Sequence, residues 1–139
     1  MATITEELLI KLKSASDIES FFTEHKDQFL NKTTSEYLSE LLNLRKLSLS
    51  VIAKNSGAGE YVYKIFNGSR KPSRDILISI AFSMNLALEE AQLLLRLSKF
   101  AILDSREERD SVILYGLTHG MTVFETDDLL DKQNLPTIN

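Results

Sequence analysis

The chain of 139 residues contains no cysteine and no tryptophan, and only two prolines, five glycines and two histidines. Without cysteine there are no disulfides, thiolate zinc sites, iron–sulfur clusters or cysteine nucleophiles, which suits a reducing compartment. So little glycine and proline leaves too few turn residues for an all-β domain, while 43% hydrophobic residues exceed what a disordered chain carries. No run approaches the ~18 apolar residues that cross a bilayer. The first residues, Met1 to Glu7, turn acidic where a secretory leader is basic and then apolar. A cytoplasmic protein with no membrane segment is the expectation, of a length fitting one domain or one domain with small helical extensions.

Chemistry-bearing clusters are equally scarce. Neither His25 nor His119 has a companion at metal-ligand spacing or a nucleophile beside it, so no catalytic residue, metal or cofactor is expected and the chain reads as a non-enzyme. His119, followed by Gly120, reads as a dipole partner and cap pair at a helix end. The alternating charges from Asp104 to Asp110 read as a salt-bridged helix surface, and Asp127-Asp128 as a solvated one.

What is present is helical periodicity almost throughout. Apolar spacing predicts helices near 5–13, 17–30, 35–46, 49–56, 60–67, 74–84, 88–98, 106–119 and 123–132, and no segment shows a convincing period of two. Five hydroxyl–acid pairs fit the capping box: Thr3 with Glu6, Ser16 with Glu19, Thr33 with Glu36, Ser105 with Glu108, and Thr122 with Glu125. The fold class is therefore all-α, divided into an N-terminal extension (1–32), a central domain (33–98) and a C-terminal helical hairpin (99–139).

The formal charge of −4 argues against a phosphate-backbone partner, but it is unevenly distributed. Residues 1–44 carry a net −4 and residues 75–139 a net −6. Between them, Arg45, Lys46, Lys54, Lys64, Arg70, Lys71 and Arg74 stand against Glu60 alone, a net +6. Fields decay over ~8 Å in physiological salt, so this basic island governs docking more than the average does.

Inside the island, Ser48 is placed to cap a short helix with Val51, Ile52 and small Ala53 facing inward, and Gly57 to end it in a left-handed turn. Gly59 or Glu60 begins a second short helix. Val62, Ile65 and Phe66 point to the core, leaving Glu60, Tyr61, Tyr63, Lys64 and Asn67 outside. Gly68 closes it and Pro72 precedes the next helix. Two short helices braced across a small residue present the second outward, and an α-helix fits the major groove of DNA. Asn67, Ser69, Arg70 and Lys71 fall just beyond that helix, where amides and cations clamp the sugar–phosphate chain.

The run Leu47-Ser48, Ala53, Gly57, Val62 with Phe66, Asn67-Gly68 and Arg70-Lys71-Pro72-Ser73 resembles the Xre/Cro-type, lambda-repressor-like helix-turn-helix domain. The resemblance covers roughly 34–97, with Tyr37 to Lys46 similar to the family's first helix and Asp75 to Phe82 and Leu86 to Ala91 to its fourth and fifth. It implies a five-helix DNA-binding domain. By the family's habit, Ser48 and Leu49 lie near the DNA backbone, Glu60, Tyr61 and Lys64 at the bases, and Asn67 and Arg70 on phosphate.

The function expected is a sequence-specific regulator that binds double-stranded DNA without chemistry, a repressor since no activation segment is evident. The alternative is a protein-interaction module, antitoxin-, immunity- or adaptor-like, using the acidic terminal helices to hold a protein partner. A homodimer is expected, because one short helix reads few base pairs. The apolar sets Leu8, Leu9, Leu12, Phe21, Phe22, Phe29 and Leu30, and Val112, Ile113, Leu114, Leu117, Val123, Phe124, Leu129 and Leu130, require cover from another element or subunit.

Overall fold

The computed structural model describes residues 4–26 and 30–139. Among these it shows nine helices and no strand: α1 (Ile4–Ser14), α2 (Ile18–Glu24), α3 (Thr34–Arg45), α4 (Leu49–Ser56), α5 (Tyr61–Phe66), α6 (Arg74–Ser83), α7 (Leu88–Leu97), α8 (Glu108–Thr118) and α9 (Val123–Lys132). None of them is long and apolar enough to cross a membrane. The chain divides into two compact units, 1–31 and 32–139.

In the first unit α1 packs on α2, with Phe21 buried and its ring tilted against Phe22 and His25 at centroid distances of 6.3 and 4.8 Å. Asp17 caps α2, accepting from the Ser20 amide at 2.8 Å, in place of the Ser16–Glu19 box that spacing predicts. A carboxylate one residue nearer the helix is the stronger acceptor for that amide, and Ser16 is left beside Asp17 at 3.5 Å. The helix expected over 17–30 ends at Glu24, where the His25 amide closes it on the Phe21 carbonyl, and Thr3 and Phe29 lie outside the described residues.

The second unit is built around α6. Leu77, Ile78, Ser79, Ile80, Ala81 and Phe82 are buried in succession, so this helix is enclosed on all sides, by α4, α7 and α9. One continuous core runs from Tyr37 to Ile138, so the hairpin α8–α9 shares it with α3–α7. Ile113, Val123 and Leu130 supply the hairpin's buried part, against α6 and α7. The apolar cover that hairpin requires thus comes, in part, from its own chain. Gly116 lets α8 and α9 approach: a Cβ there would lie 2.2 Å from Thr126 Oγ1 and 3.2 Å from Phe82 Cε1.

Thr33–Glu36 and Thr122–Glu125 form reciprocal capping boxes, as their spacing predicts, and Ser73 caps α6 through the Ile76 amide. The Ser105–Glu108 box does not form. Instead α8 starts at Glu108, because Asp104 turns to Arg106 and Asp110 is drawn away from its own helix surface. Of the salt bridges expected along 104–110, Arg106 pairs locally with Asp104, while Arg109 and Asp110 pair across elements. Arg74 Nη2 lies 2.9 Å from Asp110 and Arg109 Nη1 lies 3.0 Å from Asp75, so two Arg-Asp dipeptides clasp each other between the first turns of α6 and α8.

Helices α3, α6, α7, α8 and α9 each end in a left-handed residue (Lys46, Asn85, Lys99, Gly120, Asn134), and an apolar residue follows each (Leu47, Leu86, Phe100, Met121, Leu135). The amide of each apolar residue donates five residues back to a carbonyl of the last turn, at 2.9–3.2 Å. This motif satisfies orphan carbonyls while turning a side chain back onto the core.

Candidate nucleic-acid interface

The segment from Ser48, just before α4, to Lys71, just before α6, contains all eight candidate residues. Ser48 precedes α4 in extended backbone, but its hydroxyl meets Ser50 Oγ at 2.7 Å and makes no cap bond to the helix amides. The expected side-chain cap is absent. Helix α4 buries Ile52, Ala53 and Ser56 and leaves Lys54, Asn55 and also Val51, which spacing places inward, outside.

The turn is tied by main chain and by one buried hydroxyl. Ser56, fully buried, donates to the Ala53 carbonyl and accepts from the Ala58 amide at 3.2 Å, while the Gly59 amide donates to Ala53 O. Gly57 has φ +77, and a Cβ there would also meet Asn139 Nδ2 at 2.9 Å. The C-terminal residues are held against this turn by Asp127, which accepts from the Ile138 and Asn139 amides at 2.6 and 3.1 Å, and by Arg109, which donates to the Pro136 and Thr137 carbonyls. Asp127 is thus a tail anchor and not simply a solvated carboxylate.

Helix α5 is six residues long, shorter at both ends than the expected 60–67. Glu60 and Asn67 flank it. Val62, Ile65 and Phe66 are buried against α3 and α4, and Tyr61, Tyr63 and Lys64 are exposed. Gly68 ends it at φ +80, with its own amide on Ile65 O and the Ser69 amide on Lys64 O. Asn67 Oδ1 accepts from the Ser69 amide at 2.9 Å, Ser69 Oγ donates to Lys64 O, and the Arg70 amide also donates to Lys64 O at 3.2 Å. These bonds hold the chain at the end of α5, and the Arg70 side chain reaches back so that its guanidinium rests 4.8 Å from the centroid of the Tyr61 ring.

All eight candidate residues, Ser48, Glu60, Tyr61, Lys64, Asn67, Ser69, Arg70 and Lys71, are solvent-exposed. Tyr61, Lys64, Asn67, Ser69 and Arg70 are brought together by the contacts just described. Asn67 and Ser69 are partly occupied in holding the turn, which their composition alone does not reveal. Two of the seven island cations are diverted to intramolecular pairs: Arg45 to Glu90, at 3.0 Å through Nη1, and Arg74 to Asp110. Lys46, Lys54, Lys64, Arg70 and Lys71 form no ion pair with any described carboxylate. The Tyr61–Arg70 contact has no spacing signature in the sequence, since it depends on how the Gly68 turn returns the chain.

Among the described residues, no group of three or more histidines and carboxylates is placed to hold a metal. His119 caps α8, with Nδ1 2.8 Å from the Tyr115 carbonyl and its ring stacked on Tyr115 at 3.9 Å. Compared with known proteins, the chain matches no family model, no curated sequence and no solved structure.

Proposed function

We propose that residues 33–98 form a five-helix DNA-binding domain of the Xre/Cro, lambda-repressor-like type, and that the protein regulates genes by occupying duplex DNA without chemistry. Helix α5 enters the major groove, with Glu60, Tyr61 and Lys64 toward base edges. Ser48 and the amides opening α4, together with Asn67, Ser69 and Lys71, lie toward the sugar–phosphate chain. The single observation that carries this reading is the division of α5: three core anchors on one side, and on the other an exposed aromatic-cationic face to which Arg70 is added.

A negative body does not defeat such docking, because the five cations with no described carboxylate partner act within a Debye length while distant carboxylates are screened. Repression by occupancy needs nothing further from the chain. Two copies reading half-sites ~34 Å apart would supply the specificity that one short helix lacks.

The test is duplex binding by fluorescence anisotropy between ~50 and ~200 mM salt, using duplexes selected from a random pool. Binding should weaken steeply as salt rises, with a log–log slope of about −0.9 for each phosphate that the protein neutralises. Replacing Lys71 with Ala should flatten that slope on every duplex by about the share of one phosphate. Replacing Lys64 with Ala should change which duplexes are selected. Failure of any duplex to bind at ~50 mM salt, with an intact far-ultraviolet spectrum, would remove the reading and leave the protein-interaction alternative.

A further inference from the structure

We infer that Arg70 is a guanine-reading residue carried on the ring of Tyr61, in place of the phosphate role that the resemblance implies. The inference rests on the DNA-binding reading and deepens it by naming the base chemistry that the site selects.

The route of the chain carries the first part of the argument. A residue beyond the C-terminus of a recognition helix is ordinarily directed away from the bases. Here the left-handed Gly68 turns the backbone so that the amides of Ser69 and Arg70 both donate to the Lys64 carbonyl, at 3.0 and 3.2 Å. Arg70 therefore starts beside the last turn of α5, at a distance from Tyr61 that its side chain can cover. Its stem spans that distance back toward the start of α5, and its guanidinium settles over the ring of the helix's first residue.

The second part is the geometry of the cation. A guanidinium over an aromatic face uses its flat side, while its N–H donors point outward in the plane. No described carboxylate or carbonyl accepts from those donors. A guanidinium fork held over the ring matches two acceptors side by side, as in O6 and N7 of guanine. Phosphate can take the same fork as a bidentate pair, but Lys71 next door already serves it as a point charge. Because the first turn of the recognition helix is where side chains meet base edges, position also favours the base.

The neighbouring acid fits the same assignment. Glu60 flanks Tyr61 on the other side in sequence and is exposed. A carboxylate there is unfavourable against phosphate but accepts from the amino group of cytosine. A G·C pair complements both Arg70 and Glu60. Tyr61 is then a positioning residue whose ring orients the fork.

The experiment uses the full chain and the tightest duplex recovered from a random pool, with each guanine replaced in turn by 7-deazaguanine, which lacks the N7 acceptor. One guanine should prove sensitive, with binding weakened about tenfold or more. That penalty should vanish in Arg70→Ala. Arg70→Lys should keep the salt slope and lose the guanine preference, since the charge remains and the fork does not. Tyr61→Leu should lose most of the preference, and Tyr61→Phe should retain it, because the ring face and not the hydroxyl orients Arg70. Arg70 and Tyr61 are exposed, and circular dichroism of each variant verifies that the fold is intact. Insensitivity of every guanine, or an Arg70→Lys variant with unchanged preference, would return Arg70 to the phosphate and overturn the inference while leaving DNA binding in place. Absence of binding to any duplex would overturn both.

Discussion

The Arg74 guanidinium donates to both oxygens of Asp110, at 3.2 and 2.9 Å, and also to the carbonyls of Ala101 and Ile102. A cation that belongs by sequence to the basic island is thereby turned inward, to hold the 101–110 loop and α8 on the start of α6. Asp110 is buried and also accepts from the Asp104 amide. The pair fastens the C-terminal hairpin to the domain that carries α5.

Replacing Arg74 with Ala should therefore destabilise the protein by about 2–3 kcal/mol, somewhat below the range for a fully buried pair because the arginine keeps some solvent contact. Urea unfolding measures this. A double-mutant cycle with Asp110→Asn should show strong coupling. In the folded variant the salt slope of duplex binding should be that of the parent protein, which separates Arg74 from the cations of the interface.

Gly116 is a helix interior glycine retained for packing. Alanine normally stabilises such a position by roughly 0.5–1 kcal/mol. Here the new methyl would overlap Thr126 Oγ1 and press on Phe82, so Gly116→Ala should cost about 1–3 kcal/mol instead. Thermal melting of Gly116→Ala and of Gly116→Ala/Thr126→Ala checks this, and removal of the threonine side chain should recover part of the stability.

The Arg45 guanidinium beside Glu90, together with the Ala87 amide at 2.8 Å, holds the Glu90 carboxyl below the usual glutamate range against a smaller opposing effect of burial. A carboxylate with a depressed folded value stabilises fully above its unfolded value of ~4.3, and that contribution disappears as the pH falls through the folded value. The urea midpoint should therefore fall on acidification from about pH 6 to about pH 3.5. Glu90→Gln should start lower and decline less steeply over the same interval.

Lys99 ends α7 at φ +66 and is exposed. A side chain in that conformation costs about 1–2 kcal/mol, of which the greater unfolded-state freedom of glycine returns roughly half. Lys99→Gly should raise stability by about 0.5 kcal/mol, and Lys99→Ala should not. The two variants compared by urea unfolding at one pH decide it.

Much of the helical layout is readable in the sequence. Positions of α3, α4, α6, α7 and α9 follow from apolar spacing, and the Thr33 and Thr122 boxes follow from a hydroxyl and an acid three residues apart. Those signals are local. Where two local acceptors compete, as Ser16 and Asp17 do, spacing alone does not select the winner, which takes the helix amide through its charge and its place next to the first turn. At 104–110 the local pattern is overridden because Arg74 and Asp75 offer better-oriented partners than neighbours on the same helix.

By itself the sequence determined the helices, the left-handed turns at Gly57 and Gly68, and the split of α5 into buried Val62, Ile65 and Phe66 and exposed Tyr61, Tyr63 and Lys64. Each depends on backbone geometry and periodicity within a few residues. Tertiary structure alone decided which cations face outward. Arg45 and Lys46 are adjacent, yet one finds Glu90 and the other no described carboxylate. Partners 45 residues apart are set by how α3 meets α7, and Arg70 reaches Tyr61 only because the Gly68 turn holds the following residues against the end of α5.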